Sequence, residues 1–245
     1  MTSSNTSQTS LDSFKFLKGS RPIEAVATSQ EIRDRGSTFV ANIFNASSPE
    51  ATKAKVDYLR NVTHSSKRAT HEISAWRCMT LKEGRTGLAG PDDFELKSGF
   101  SDDGEQWAGS RILKVMESLS ILDAVVVVSR WYGGIMLGPA RFNHIETCAS
   151  EVCRSFKKSE ELKEAITMLS TLDDILTQLR CDLAALSGDE ERATNETPSK
   201  KPDYPAWTPE DLPKAKRLIT ARERAIATVK KMIAKRREAS LDAAS

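Results

Sequence analysis

Three carboxylates lie close together in the sequence, at Asp102, Asp103 and Glu105, between a predicted strand and a predicted helix. Clustered carboxylates can bind a hard cation or share a proton in acid–base catalysis. Acidic residues at such a position also stabilise the first turn of a helix through its dipole, and Asp or Ser can cap that turn. Both interpretations stay open, and we favour the structural one. His71 raises the same choice, because a single histidine at the start of a strand is more often a hydrogen-bonding residue than a general base.

A second group of residues, Arg130, Tyr132 and the glycine pair Gly133 and Gly134, follows an apolar strand. Ligands of α/β sheets often bind beyond the carboxyl ends of the strands. Paired glycines allow backbone N–H groups to face an anion, and the arginine and tyrosine can hold a phosphate or stack on a base. The alternative is a tight turn whose aromatic side chains complete the core. The run matches neither of the common glycine-rich phosphate-binding patterns.

The elements that must position these side chains alternate between strands and helices. The predicted strands lie at 23–27, 38–44, 73–80, 94–101 and 124–128, and the predicted helices at 49–64, 106–119 and 139–156. We expect the first two strands to form a hairpin and the next two to pair antiparallel. The unbroken apolar run at 124–128 is typical of a central strand that is covered on both faces. This order of elements predicts a two-layer α/β sandwich.

The last third of the chain is separated into blocks of opposite charge. Residues 160–196 contain ten acidic and three basic residues, whereas residues 212–237 contain ten basic residues and one acidic residue. Apolar residues from Leu162 to Leu186 recur at steps of three and four, which predicts a helix with an almost regular coiled-coil seam. A second amphipathic helix begins near Pro213. Because their apolar stripes and charges are complementary, we expect the two helices to pair as an antiparallel hairpin.

Composition excludes several classes of protein. No apolar run in the 245 residues is long enough to span a bilayer, and the first 20 residues resemble neither a signal peptide nor a transit peptide. We therefore expect a cytoplasmic protein with no membrane partner. The four cysteines form no CxxC pair and only three histidines accompany them, which argues against a disulfide scaffold or a zinc module. We predict neither a bound metal nor a cofactor.

Several spaced blocks of sequence together resemble the signature of the Impact family, also called UPF0029. The blocks are residues 109–113, 127–134 and 137–138, together with His71, 75–77, 102–105 and 141–142. The resemblance covers roughly residues 21–155 and is closer to the eukaryotic members. It implies an α+β domain of the ribosomal-protein or elongation-factor type, with no established catalytic activity. With Arg77 and Arg141 from these blocks, the candidate surface site comprises His71, Arg77, Asp102, Asp103, Glu105, Arg130, Tyr132, Gly133, Gly134 and Arg141.

The resemblance also implies a function in translational control. Eukaryotic Impact proteins bind the large activator of the amino-acid-starvation kinase, thereby limit phosphorylation of initiation factor 2, and also bind actin. They normally carry an RWD domain before the Impact domain, whereas about 20 polar residues precede the first predicted strand here. The leading interpretation is therefore a non-enzymatic, stress-linked regulatory protein that lacks an RWD domain.

Two other classes of function stay open. The first is an RNA- or ribosome-binding module that uses Arg130, Tyr132, Arg141 and the basic helix. The second is a hydrolase built on His71 and the three carboxylates, although that interpretation lacks a recognisable nucleophile.

We predict five segments along the chain. They are a disordered leader at 1–20, the Impact domain at 21–156, an acidic amphipathic helix at 157–186, a flexible linker at 187–207, and a basic amphipathic helix with its tail at 208–245.

Overall fold

A computed structural model describes residues 23–186 and 204–242 of the chain. The predicted leader and residues 187–203 of the predicted linker lie outside the described residues. The chain divides into two compact units, Met1–Cys153 and Arg154–Ser245. We call them the sheet unit and the helical unit.

The sheet unit is built on one antiparallel sheet of six strands. The strands are β1 (Ala27–Thr28), β2 (Ile32–Asp34), β3 (Ser37–Asn45), β4 (His71–Leu81), β5 (Phe94–Ser101) and β6 (Ala124–Trp131). Their order across the sheet is β1-β3-β6-β4-β5, and β2 pairs with β3 alone. The α+β class is confirmed, and so is the antiparallel pairing of β4 with β5.

In the part of the chain that the structure describes, the α-helices are α1 (Pro49–Tyr58), α2 (Ala108–Ser118), α3 (Ala140–Ala185) and α4 (Leu212–Asp242). A π-helical turn, Leu59–Thr63, continues α1. The start of α1 follows from its sequence, because the Ser48 hydroxyl accepts a hydrogen bond from the Ala51 N–H at 3.2 Å and Pro49 occupies the first turn. None of the described helices combines the length and apolar character that crossing a bilayer requires.

The apolar run of β6 forms the centre of the core, as predicted. Strand β6 lies between β3 and β4, and its four consecutive valines are fully buried. Two of them, Val125 and Val127, pack in one cluster with Phe44, Leu59 and Cys78. Complete burial of a valine stabilises the fold by roughly 1.5 to 3 kcal/mol. Strand β6 is therefore a stable base for the turns at its two ends.

The expected first strand at 23–27 is mostly wrong. Only Ala27–Thr28 forms a strand, which pairs with the far end of β3. Ile23 and Ala25 instead cover the core cluster around Phe44. Their alternating apolar pattern therefore reflects burial against that cluster rather than an extended sheet pairing.

The helices expected at 139–156 and 157–186 are one continuous helix, α3, of 46 residues. The residues where the two expected helices meet, 157–161, have the sequence KKSEE and contain neither glycine nor proline. Lysine and glutamate propagate a helix well. The change from a mixed to an acidic composition therefore does not end the helix.

In the helical unit, the acidic part of α3 packs against the basic α4, as predicted. Its core joins Leu162, Ala165 and Leu169 of α3 to Leu212 and Ala215 of α4. Ion pairs accompany this seam: Lys216 lies 3.0 Å from Glu161, and Arg222 lies 2.5 Å from Asp173. Both the apolar stripes and the opposite charges thus contribute to the pairing.

The antiparallel orientation expected for these two helices is wrong, because they run in the same direction. The partners of Lys216 and Arg222 advance along α3, from Glu161 to Asp173, as α4 itself advances. In an antiparallel pair with Lys216 at Glu161, Arg222 would lie about 27 Å along the helix from Asp173, at about 1.5 Å per residue.

The connection between α3 and α4 is long enough for either orientation. The charge and the apolar pattern therefore predict that the two helices pair, but they do not predict the direction of the pairing. Tyr204, just before α4, donates a hydrogen bond to Asp173 at 2.6 Å. Burial and this hydrogen bond raise the pKa of Tyr204 above its usual value. The contact brings the chain back beside the middle of α3, from where α4 begins next to Leu162.

Candidate functional site

Most of the predicted site residues collect at one edge of the sheet unit. Because β4 runs antiparallel to both of its neighbours, its first residue lies beside the last residues of β5 and β6. His71 therefore pairs in register with Arg130, and the turn at 102–105 follows β5 at the same edge. The sheet topology thus brings together three groups that are far apart in the sequence.

Glu105 lies at the centre of this group and is almost completely buried. One carboxylate oxygen accepts a hydrogen bond from Arg130, and the other lies 2.6 Å from Nε of Arg141. The Nε2 atom of His71 is 3.9 Å from the same carboxylate. Two guanidinium groups therefore neutralise one buried carboxylate, an arrangement that ties β6, the turn after β5 and the start of α3 together.

Asp103 organises a second set of polar contacts. Its carboxylate accepts a hydrogen bond from the Glu72 N–H at 2.7 Å and lies 2.9 Å from the Arg60 guanidinium. Its carbonyl oxygen is 2.8 Å from Nδ1 of His71. Since a carbonyl only accepts hydrogen bonds, Nδ1 carries the proton. His64 adds a contact of 2.9 Å to the buried Glu72.

Asp102 caps helix α2, as the structural interpretation predicted. Its two carboxylate oxygens accept hydrogen bonds from the Trp107 N–H at 3.1 Å and the Gly109 N–H at 2.7 Å. The three carboxylates therefore face different partners rather than one another. Within the residues that the structure describes, no group of three or more His, Cys, Asp or Glu side chains is placed to hold a metal ion.

The turn after β6 is fixed by contacts with neighbouring loops. The N–H groups of Tyr132 and Gly133 donate to the hydroxyls of Thr70 at 3.0 Å and Ser37 at 3.2 Å. These donors are thus already engaged, which argues against an anion site made from the backbone of the turn. The Arg130 guanidinium lies 5.6 Å from the centre of the Tyr132 ring, within cation–π range. Gly134 has φ +86° and faces open space.

The opposite side of this turn contacts the hairpin between β2 and β3. Gly133 packs directly on the backbone of Gly36, where a side chain on Gly133 has no room. At the same hairpin, two hydrogen bonds hold the pKa of Asp34 below its usual range. The one from His144 has the larger effect, and the one from Arg35 the smaller. The hairpin, the turn and the start of α3 therefore support one another.

Arg77 does not belong to this site, contrary to the sequence prediction. It lies six residues along β4 from His71, roughly 20 Å away at about 3.3 Å per residue. Its guanidinium donates to the carbonyl of Ile121 at 3.0 Å, just after the end of α2. Carbonyl groups at a helix end need such donors, so Arg77 stabilises the connection from α2 to β6.

Comparison with known proteins identifies the family of the sheet unit. Residues 35–153 match the Impact N-terminal domain. Residues 35–153 thus form an Impact domain. All of the predicted site residues lie within the matched Impact domain.

Curated relatives include Protein IMPACT of Xenopus laevis, 36% identical over 153 residues, which are 61% of this chain and 45% of that protein. The Protein IMPACT homolog of Saccharomyces cerevisiae is 38% identical over 130 residues, which are 53% of this chain and 46% of that protein. The chain thus spans less than half the length of these two relatives. A solved two-domain translational regulator, Yih1, is 32% identical with a TM-score of 0.35, and the match covers 62% of this chain and 53% of that one.

The signature loop of the Impact domain, residues 132–136, exposes three apolar side chains, of which Ile135 and Met136 were not predicted from the sequence. Tyr132 is 44% exposed, Ile135 53% and Met136 77%. The alternative interpretation, in which the aromatic side chains of the turn complete the core, is therefore wrong for Tyr132. Ile135 and Met136 have no helical or strand periodicity, and their only signal in the sequence is the presence of apolar residues inside a glycine-rich turn.

Thiol chemistry is not a feature of the Impact domain. Its cysteines Cys78, Cys148 and Cys153 are all buried and free. Burial raises the pKa of Cys78 to about 11 and that of Cys153 to about 12. Because the thiolate is the reactive form of cysteine, these residues are structural.

Proposed function

We propose that this protein is a non-enzymatic, Impact-type regulator of translation that binds another protein through its signature loop. The observation that supports this most is the exposure of Tyr132, Ile135 and Met136 on a loop with a rigid base. Aromatic residues and methionine are enriched at the centres of protein interfaces. A rigid loop also loses little conformational entropy on binding.

The arrangement of the polar side chains supports binding rather than catalysis. His71 is oriented by a backbone carbonyl, Glu105 is enclosed by two arginines, and Asp102 caps a helix. These are the contacts of a scaffold. A hydrolase needs a nucleophile activated by a nearby base, and the side chains that would serve as base or acid here stabilise the turn instead.

The match to the Impact domain supports the link to translation. By that resemblance, we propose that the partner is the activator protein of the amino-acid-starvation kinase, bound in the cytoplasm, with actin as a further partner. Binding would limit phosphorylation of initiation factor 2.

A pull-down from nuclease-treated cytoplasmic extract tests this proposal. We expect the full chain to retain the kinase-activator protein and the double variant Tyr132→Ala, Met136→Ser to lose it. The matched control is Leu88→Ser, which removes an apolar side chain that is 91% exposed on the loop before β5. Equal retention by the wild type and the double variant would show that the signature loop is not the binding surface.

The exposed face of α4 supports a second candidate function, direct RNA binding. Arg217, Arg224, Lys231 and Lys235 are all exposed and recur at steps of seven, seven and four residues. They therefore form one basic stripe on the face opposite the buried seam of Ala215, Ile226 and Ile233. Phosphate backbones bind such stripes, and the apolar face that a membrane-bound helix would need is already packed against α3.

The RNA proposal predicts a strong dependence on salt. Changing all four stripe residues to glutamine should weaken binding to an RNA duplex and reduce the slope of log affinity against log salt by about 3.6, at roughly 0.9 per phosphate contact. Residues 21–156 are also proposed to fold independently, so a chain ending at residue 157 should lose this binding and still melt cooperatively. An unchanged salt slope would contradict a role of the stripe.

A further inference from the structure

Trp107, just before α2, combines two properties that folding alone does not explain. Its side chain is 65% exposed, and its backbone is left-handed, with φ +73° and ψ −4°. Bulky L-residues rarely adopt this conformation, which glycine adopts without strain. Neither core packing nor backbone preference therefore accounts for a tryptophan at this position. Strained residues of this kind cluster at functional sites.

The strained backbone is held in place by its neighbours. Asp102 accepts hydrogen bonds from the N–H groups of Trp107 and Gly109, and the Ser110 hydroxyl donates to the Trp107 carbonyl at 2.9 Å. The indole ring is consequently presented from a fixed base at the beginning of a helix. A fixed, exposed ring is suited to stacking because little freedom is lost when a ligand covers it.

Trp107 stands at one end of a groove between α2 and the first part of α3. The groove encloses about 530 Å³, and its lining includes Arg111, Lys114, Val115 and Ser118 of α2 and Glu146 of α3. The α2 residues of the lining are spaced three and four apart, so they share one face of the helix, and Trp107 borders the same groove. The groove therefore has a flat aromatic surface followed by polar and basic groups.

The charges in the groove are not balanced. Arg111 is paired with Glu146 at 2.7 Å and lies 4.5 Å from the centre of the Phe142 ring. Lys114 is exposed and lies seven residues from Trp107, about 10 Å along the helix at roughly 1.5 Å per residue. After the pairing of Arg111 with Glu146, the positive charge of Lys114 remains to attract an anion.

We propose that this groove binds a nucleotide unit, with the base stacked on Trp107 and the phosphate held by Lys114. Stacking on an exposed aromatic ring together with a nearby cation is how proteins bind single-stranded nucleic acids. An apolar peptide fits less well, since hydroxyl and charged groups make up most of the lining. The site uses neither the signature loop nor the basic stripe of α4, and it does not depend on the proposed function.

The test measures binding of a 5′-labelled hexaadenylate RNA to the full chain by fluorescence anisotropy. We expect Trp107→Gly to weaken binding at least fivefold, the lower end of what loss of one stacked base produces. Trp107→Tyr, which keeps a ring, should bind within about twofold of the wild type. Lys114→Gln should weaken binding and flatten its salt dependence, whereas the control Lys53→Gln, an exposed lysine on α1, should do neither.

Thermal melts distinguish this proposal from a structural role of Trp107. Glycine relieves the left-handed strain, so Trp107→Gly should melt at or above the wild-type temperature. A large drop in its melting temperature would assign the ring to the fold. Lys114→Gln then decides whether the groove binds RNA. If Lys114→Gln bound the hexamer as tightly as the wild type, the proposed site would be overturned.

Competitors and a second variant complete the test. Competition by adenosine monophosphate would identify a site for free nucleotides, and competition by the hexamer alone would identify a site for a strand. Inorganic polyphosphate competing as well as the hexamer would overturn stacking. Loss of binding only when the four stripe residues are changed would overturn the groove and leave the RNA proposal for α4 standing.

Discussion

Replacing Glu105 with alanine is expected to lower the free energy of unfolding of the sheet unit by about 3 to 5 kcal/mol, the usual effect of removing one partner of a buried ion pair. Arg130 is only 5% exposed, and without the carboxylate its charge is buried without compensation. Arg141 and His71 lose the same partner. Because domains are typically stable by only about 5 to 15 kcal/mol, this loss is a large fraction of the total stability.

Amide hydrogen exchange of residues 126–128 in β6 measures this loss, since the centre of the core opens only in global unfolding of the unit. Glu146→Ala is the matched control: its pair with Arg111 is partly exposed and should contribute less than about 1 kcal/mol. Glu105→Gln should fall between the two because it retains a hydrogen-bond acceptor. Equal exchange rates in Glu105→Ala and Glu146→Ala would show that the buried network does not hold the turn.

Replacing Gly133 with alanine is expected to destabilise the sheet unit by roughly 3 kcal/mol, at the upper end of the range for overpacking. A Cβ atom there would lie 1.9 Å from the carbonyl carbon of Gly36 and 2.4 Å from the nitrogen of Ser37. Both neighbours are backbone atoms, which cannot turn aside as a flexible side chain can. The signature loop and the hairpin must therefore separate, and the hydrogen bond from Gly133 to Ser37 is lost with that movement.

The adjacent glycine provides the control. At Gly134 an added Cβ meets nothing within 4 Å, and only the positive φ of +86° opposes alanine. Gly134→Ala should accordingly lower the stability by about 1 kcal/mol. Hydrogen exchange of β6 again compares the two variants. If both lowered the stability equally, backbone conformation rather than the close approach to Gly36 would be the reason for the glycine pair.

Local pattern was sufficient for much of the sheet unit. The valine run predicted a central strand, Phe94–Ser101 was expected at the residues where it occurs, and Ser48 and Pro49 marked the start of α1. Each of these depends on forces that act within a few residues: burial on both faces, alternation, and capping. The blocks of the Impact signature added the family, because residues far apart agreed with one pattern.

The partners of the charged residues could not be read from the sequence in the same way. Asp102, Asp103 and Glu105 are adjacent, yet one caps α2, one meets Arg60 and one is enclosed by Arg130 and Arg141. Arg77 was grouped with the site on the family pattern and stabilises the end of α2 instead. An ion pair forms where two oppositely charged side chains come within a few ångströms of each other. That distance depends on the order of the strands, which the periodicity of the sequence does not specify.

The sequence by itself determined the class of the fold, the central strand, the family and the pairing of an acidic with a basic helix, since composition and periodicity control burial and long-range charge attraction. Only the tertiary structure decided that α3 is continuous, that α4 runs parallel to it, and that Gly133 rests on Gly36. The physical reason is that apolar stripes and net charges are nearly symmetric with respect to direction. Particular contacts, such as that of Tyr204 with Asp173, select one arrangement, and they exist only once the chain has folded.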